Sequence, residues 1–528
     1  MTARLVPPTE TGSLSRVPDV IPLRPTAPVE TPLEEVVTWL GERLTEVRGD
    51  AGGTVLTGLT LSSHTVQLGD LYVAPAGARA HGADFAAKAV ADGAVAVLTD
   101  PAGAEICSEV DAPVLVVERP RTVVGDLAAR LYGNPAARMR LVAVTGTQGK
   151  TTTTRLAEGA LTEAGIPAAV VGTVGTRVLG ADVKTLLTTP EAPDLHALFA
   201  VMVERGVVAC VMEVSSHALV MGRVDGVAFD LACFTNLGRD HLDFHTDEEE
   251  YFRAKASLFT PERTRLALVN VDDAHGRRLA GEVAVPVRTF SALGAAADWR
   301  ATDVFLEPTG STFTVHPPAG EPFAARVPLT GDFNVANALC AIAALGETGF
   351  DAAAVAAAMS TSDGVPGRLE QVDAGQPFLA VVDYAHKPDA VAAALNALRP
   401  LTEGRLVVVI GAGGDRDPGK RPLMGEIAAR LADVVVVTDD NPRSEDPAKI
   451  RAALLDGADA VPETERADLH DVADRRAAIR LAVSLAGPGD TVVVAGKGHE
   501  TGQEVGGTVH TFDDRVVLHQ ELVEVAAR

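Results

Sequence analysis

The chain has 528 residues, 47% of them hydrophobic and only 4% aromatic, and a formal charge of −25. That length predicts about three domains with Ala/Val-rich cores, and the acidic balance argues against broad binding to nucleic acid or anionic membranes. Four scattered cysteines (Cys107, Cys210, Cys233, Cys340) form neither a disulfide framework nor a zinc spacing, and no apolar run is long enough to span a bilayer, so a soluble, cytoplasmic protein is expected.

Residues 1–32 carry Pro7, Pro8, Pro18, Pro22, Pro25 and Pro28 without an apolar core segment, which predicts a disordered Pro-rich tail and not a signal peptide. A first block is expected over 33–138, with strand-like runs at 54–61, 70–75, 94–99 and 113–118 and helical stretches at 83–92 and 121–132. The second block, 139–366, opens with a buried strand at 141–145 and a helix from 150 to 164 that stops at Gly165. Buried strands follow at 207–214 and 229–237, alternating strands at 311–316 and 323–329, and a small-residue helix at 334–348. The third block, 367–528, has four Val/Leu/Ile runs at 378–383, 405–410, 432–438 and 490–495, separated by helical patterns. Near-continuous apolar runs suit parallel strands covered on both faces, and strand–helix alternation predicts an α/β fold with a doubly wound sheet.

Nearly every buried run in the last two blocks ends in a polar string: TGTQGKTTTT, EVSSHAL, TNLGRDHLDFH, DYAHKPDA, GAGGDRDPGKRPLM, TDDNPRSEDP and AGKGHE. Open α/β sheets bind ligands beyond the carboxyl ends of their strands, so these strings predict one composite site in an interdomain cleft. In the first string, Gly146-Thr147-Gln148-Gly149-Lys150-Thr151 sits between a strand and a helix, where backbone N–H groups cradle phosphate. It is a shortened G-x-x-G-K-T loop, because Val144 stands where the longer phosphate-loop pattern has glycine. Lys150 is placed to reach the β- and γ-phosphates and Thr151 to ligate Mg²⁺. Glu213, at a strand end, is a candidate Mg²⁺ ligand. Asn236, Asp240, His241, Asp243 and His245 crowd into ten residues and offer cation or phosphate contacts. Lys255, inside an apolar helical pattern, reads by itself as an ordinary helix lysine.

Taken in order, and together with YFRAKASLF, GDFNVANALCA and VPGRLE, the strings resemble the Mur ligase family, and within it the members that add diaminopimelate. The resemblance runs from about residue 50 to 515. It implies three domains: an N-terminal UDP-binding α/β domain, a central P-loop ATPase with a parallel sheet, and a Rossmann-like C-terminal domain. It also implies that ATP phosphorylates the D-glutamyl carboxylate of UDP-N-acetylmuramoyl-L-alanyl-D-glutamate and that the amine of diaminopimelate displaces the phosphate, in peptidoglycan synthesis. Partners would be these small molecules alone, with the chain acting as a monomer.

By the same resemblance, Gly146, Thr147, Gln148, Gly149, Lys150, Thr151, Thr152, Asn337, Arg368 and Asp383 bind ATP. Thr151, Glu213, His241 and a carbamylated Lys255 hold Mg²⁺, and Lys150, Glu213, His241 and Lys255 form the catalytic set. Leu61, Ser63, Thr188, Thr189, Ser215 and Arg223 hold the UDP-muramoyl peptide. Arg416, Asp440, Asn441, Pro442, Arg443, Gly496 and Glu500 surround the incoming amino acid. A guanidinium such as Arg443 matches a carboxylate in a planar, bidentate way, and diaminopimelate has a distal carboxylate where lysine has none. The sequence departs from the family pattern at Gln148 (usually Asn), at Ser62 and His64 (in place of Asp and Arg), and at Leu187 and Met221, where some relatives have polar residues.

Overall fold

Each Val/Leu/Ala run forms a strand too apolar to face water, and the helices between the strands cover the sheets. The computed structural model describes residues 21–185, 187–241 and 244–526. Three principal sheets divide the chain. The N-terminal sheet has the order Leu44–Arg48, Val114–Val117, Ala94–Thr99, Asp70–Ala74, Gly58–Thr60, parallel except at the Leu44–Arg48 edge.

The central sheet has 11 strands. Its middle is parallel: Ala168–Val171, Ala209–Glu213, Arg140–Thr145, Leu231–Phe234, Ala267–Asn270, Val287–Ser291 and the start of Trp299–Glu307. Its two ends are antiparallel, through the Thr176–Val178/Ala181–Val183 hairpin on one side and the Trp299–Glu307, Gly310–His316, Phe323–Val327 meander on the other. The expectation of a parallel sheet therefore holds for the middle alone. The meander alternates buried and exposed residues, which is what a sheet with one solvated face requires.

The C-terminal sheet runs Glu370–Gln371, Leu379–Asp383, Thr491–Ala495, Leu406–Ile410, Val434–Val437, Asp468–Asp471, parallel except at the first strand. Asp468–Asp471 has no apolar run to mark it and forms by pairing with Val434–Val437. The small hairpin Gly502–Val505/Thr508–Thr511 was equally silent in sequence.

The expected tail needs correction. Residues 1–20 lie outside the described residues, and Ile21 packs into the central core. Arg24 ion-pairs with buried Asp70 of the N-terminal sheet. The backbone N–H groups of Thr26 and Ala27 donate to Glu204 of the central helix Ala192–Glu204 at 3.0–3.1 Å. Thr31–Pro32 then pairs with Val55–Leu56. Proline here favours an extended path, which tertiary partners fix in place. All four cysteines are free and buried, and among the described residues no helix is long and apolar enough to cross a membrane.

Candidate active site

Because the middle strands of the central sheet are parallel, their carboxyl ends lie side by side, and the polar strings that follow them meet. Arg140–Thr145 feeds the glycine loop, and the helix Lys150–Glu163 leaves it, aiming its unpaired N–H groups at the loop. Gly146 (φ 148°) and Gly149 (φ 84°) occupy backbone conformations that favour glycine. A methyl group on the first would overlap Thr235 Oγ1, and on the second Asn337 Oδ1.

The loop is braced from the neighbouring strand end. Thr147 N–H donates to the Asn236 carbonyl at 3.0 Å, Gln148 N–H to Asn236 Oδ1 at 2.9 Å, and Thr235 Oγ1 to the Gln148 carbonyl at 2.6 Å. Asn236 is thus committed to holding the loop. Lys150 Nζ donates to the carbonyls of Gly146 and Thr147 at 2.9 and 3.1 Å. Lys255, only 1% exposed, donates to the same Gly146 carbonyl at 2.8 Å, with its Nζ 4.4 Å from the centroid of the Tyr251 ring. Burial, and then the charge of Lys150, push the Lys255 amine well below the ordinary lysine range.

Glu213 closes the strand Ala209–Glu213 opposite the loop and is buried. Its Oε1 accepts from Thr151 Oγ1 at 2.9 Å and from Thr173 N–H at 2.8 Å, and its Oε2 from Thr173 Oγ1 at 3.0 Å. Thr173 lies in none of the polar strings, and no sequence signal marked it. Further along the same wall, Thr173 Oγ1 meets Thr188 Oγ1 at 3.2 Å and Thr189 Oγ1 donates to the Glu213 carbonyl at 2.9 Å. Arg223 donates to Glu191 at 2.9 Å, and Ser215 caps the short helix Ser216–Val220. Thr188, Thr189, Ser215 and Arg223 therefore line one cleft of about 790 Å³ with Gln148–Thr152, Glu213, His241, Lys255 and Asn337. Leu187 lines it too, while Met221, the other departure from the family pattern, is 37% exposed beside Arg223.

From the C-terminal domain, Arg368 stacks over the Tyr384 ring at 4.5 Å and reaches this cleft. Asp383 lines it as well, but its oxygens accept from Leu369 N–H at 2.7 Å and Ala385 N–H at 2.8 Å, so it shapes the backbone, and burial raises its pKa. Leu61 and Ser63 line neither this cleft nor the next one. They follow the strand Gly58–Thr60 at the carboxyl end of the N-terminal sheet.

A second compartment of about 450 Å³ opens from the first, and His217, Asp240, His241, Tyr384, His386, Lys387 and Arg416 line both. At this junction Lys387 of the C-terminal domain ion-pairs with Asp240 of the central domain. Burial alone would raise the Asp240 pKa, but Lys387 and its neighbours hold it down at about 2. His241 Nε2 lies 3.1 Å from the same carboxylate, yet burial brings the imidazole down to about 4. Asp243, the remaining acid of the predicted cluster, lies outside the described residues. Lys387 stands in one of the polar strings, but its interdomain partner is invisible in sequence.

The second compartment is lined by Arg416, Asp440, Asn441, Arg443, Gly496 and Glu500. Pro442 is the exception: it turns the chain without lining the space. Arg443 sits in the left-handed region (φ 52°), with its Nη1 donating to the Gly414 carbonyl at 2.7 Å and its Nε 3.5 Å from Glu504. Its backbone N–H donates to the Glu504 carbonyl at 3.0 Å, so the hairpin Gly502–Val505/Thr508–Thr511 clamps this loop. Beneath it lies Lys497, fully buried and unnoticed in sequence among its string's glycines.

Among the described residues no group of three or more His, Cys, Asp or Glu side chains could hold a metal ion. The donors at the glycine loop are the Thr151 hydroxyl and the Glu213 carboxylate. They suit Mg²⁺, which takes one or two protein oxygens and completes its shell with phosphate oxygens and water.

Known protein families divide the chain in much the same way. The chain matches the families described as Mur ligase middle domain over residues 144–345, Mur ligase, glutamate ligase domain over 367–498, and Mur ligase family, catalytic domain over 55–132. It is 54% identical over 502 residues to the UDP-N-acetylmuramoyl-L-alanyl-D-glutamate–2,6-diaminopimelate ligase of Streptomyces coelicolor, covering 95% of this chain and 98% of that protein. The Corynebacterium glutamicum protein of the same name is 50% identical over 482 residues, covering 90% and 93%. A solved structure of a ligase so named aligns with TM-score 0.66 at 33% identity, over 92% of this chain and 98% of that one. The MurF ligase of Thermotoga maritima, solved in complex with ADP, shares the fold at 18% identity and TM-score 0.60, over 88% of this chain and 96% of that one.

Proposed function

The chain belongs to the Mur ligase family, and from that premise we propose that it is the ATP-dependent ligase that adds diaminopimelate to UDP-N-acetylmuramoyl-L-alanyl-D-glutamate in peptidoglycan synthesis. One observation carries the reading: a phosphate loop and an arginine-bearing amino-acid compartment open into each other across an interdomain junction. Amide synthesis from a carboxylate needs this adjacency, since the activated acyl group must meet an amine before water reaches it.

The glycine loop and the N-terminus of Lys150–Glu163 bind the triphosphate of ATP, with Lys150 turning from the loop carbonyls to the phosphates. The D-glutamyl carboxylate, held along Thr188, Thr189, Ser215 and Arg223, attacks the γ-phosphorus; the β–γ bridge bond breaks and ADP leaves. The amine of diaminopimelate then attacks the acyl carbon. The C–N bond forms, the nitrogen sheds its proton, and phosphate departs with the C–O bonding pair. The uridine end extends toward Leu61 and Ser63. Arg443 and Arg416 meet the carboxylate of the incoming amino acid, and Glu500 its distal ammonium. Thr151 and Glu213 would hold Mg²⁺, which offsets phosphate charge.

Lys255 fits the carbamate role. Burial and the charge of Lys150 push its amine well below the ordinary lysine range, which favours the neutral form that adds CO₂; the addition forms an N–C bond, releases one proton and leaves an oxygen anion. Buried between Gly146 and Tyr251, that anion would lie beside Lys150, whose Nζ bonds the same Gly146 carbonyl.

The test is phosphate release by purified protein with ATP, Mg²⁺, the muramoyl dipeptide and a panel of diamino acids. The expected result is release that needs the dipeptide and diaminopimelate together. Release indifferent to diaminopimelate overturns the assignment.

A further inference from the structure

The buried charge of the amino-acid compartment is centred on Lys497, which follows the strand Thr491–Ala495 and is 0% exposed. Its ammonium donates to Asn441 Oδ1 at 3.0 Å and lies 3.4 Å from Glu500 Oε2 and 3.6 Å from Asp440 Oδ1. All three partners line the compartment. Lys497 itself does not, so it acts on a ligand only through them.

The hydrogen bonds leave no freedom. Asn441 Oδ1 accepts from Lys497 and from Glu504 N–H, both at 3.0 Å. Two donors on one amide oxygen fix the orientation of the amide, so its nitrogen must face Glu500, to whose Oε2 it donates at 2.8 Å. Glu500 Oε2 is thereby committed to Asn441 and Lys497, and the Tyr384 side chain bonds the same carboxylate, so Glu500 is held in place where it lines the compartment. Asp440 and Glu500 bring two carboxylates to the one ammonium of Lys497, and the neighbouring Arg475 is paired with the buried Asp514 at 2.7 Å. Arg416, Lys420 and Arg443 also line the compartment, so its charge is mixed, and the carboxylate that offers a place for a ligand's ammonium is Glu500.

We propose that Lys497 is a positioning residue that sets amino-acid specificity by locking Asn441 and Glu500 into the single arrangement that accepts the second ammonium of the diamino acid. The proposal rests on the reading of this compartment as the diaminopimelate site.

The test is steady-state phosphate release with Lys497→Met, which keeps the length of the side chain and removes its charge. Losing one charged hydrogen-bond partner should raise the KM for diaminopimelate by about 10- to 100-fold. The KM values for ATP and the muramoyl dipeptide should stay at their wild-type levels. Preference for diaminopimelate over 2-aminopimelate, which lacks the second amine, should fall by the same factor. In a Glu500→Gln background the Lys497→Met change should cost little more, because both act on one contact. Lys497→Gln, which keeps a donor for Asn441, should give a smaller rise, and it is the variant to read if Met is not tolerated. An unchanged KM for diaminopimelate, an equal loss for ATP, or failure of both variants to fold overturns the positioning role. Wild-type protein that releases no phosphate in response to diaminopimelate overturns the underlying reading as well, and the wild-type arm tells the two failures apart.

Discussion

The two compartments are built on opposite plans. The phosphate site is local: a strand, a four-residue glycine turn and a helix place most of its donors within residues 146–152, and they are largely backbone N–H groups. The amino-acid site is assembled from distant chain segments around residues 413–416, 440–443 and 496–500, joined by side chains and clamped by a hairpin. A site made of backbone is hard to alter except through its glycines and its charges. A site made of side chains can be retuned one residue at a time, which is where choice among amino acids belongs.

Substitutions can probe that contrast. The largest effect should come from Lys255→Ala, which removes the proposed oxygen ligand beside the loop; turnover should fall about a thousandfold or more, by analogy with loss of a transition-state charge contact. Short carboxylates such as acetate should restore part of it, and full activity of the variant would end the carbamate assignment. Next is Gly149→Ala. Its side chain would collide with Asn337 Oδ1 at a φ of 84°, and a loop displaced by an ångström costs about a hundredfold in turnover. Normal ATP kinetics in this variant would show that the local plan tolerates more than its geometry implies.

Arg443→Ala should act on the other compartment alone. Loss of a charged hydrogen-bond pair should lower kcat/KM for diaminopimelate by roughly 10- to 150-fold and leave the KM for ATP intact. A matching loss for ATP would erase the distinction between the two sites.

The smallest effect concerns pH. Burial holds His196 and His241 at about 4 and His386 at about 3, below the ordinary 6.5. These are depressed values on bases, so between them and 6.5 the unfolded chain binds more protons than the folded one. Stability therefore falls as pH drops from 6.5 toward 4, and is regained as pH rises. Thermal midpoints measured from about pH 8 to 5 should fall accordingly. His196 lies in neither compartment and bonds the Asp225 carbonyl at 3.1 Å, so His196→Gln should flatten that slope while leaving both substrate KM values alone.

Legibility followed the same divide. Glu213 and the glycine loop could be read because a buried strand ending in a polar residue is a pattern along the chain. Lys387, Lys497 and Thr173 could not, because their meaning lies in partners 147, 56 and 40 residues away. Asp383, marked for the nucleotide by the family resemblance alone, lines the cleft while its carboxylate accepts from two backbone N–H groups, an arrangement no local pattern announced. The proline-rich stretch from Ile21 to Pro32 misled for a related reason. Composition reports how few local contacts a segment makes, and these residues are ordered by Asp70 and Glu204.

What the chain alone determined was its repertoire: apolar runs of strand length, a phosphate-binding turn, and an arginine string fit for a carboxylate, all set by short-range sterics and hydrophobic patterning. The tertiary structure decided which of these meet. Docking of the central and C-terminal domains brought Asp240 to Lys387, strand order within the C-terminal sheet brought Lys497 to Asn441, and with them came the burial that shifts pKa values and fixes side-chain orientation. Neither burial nor the pairing of charges across a domain boundary has any expression in local sequence, because both depend on where the rest of the chain goes.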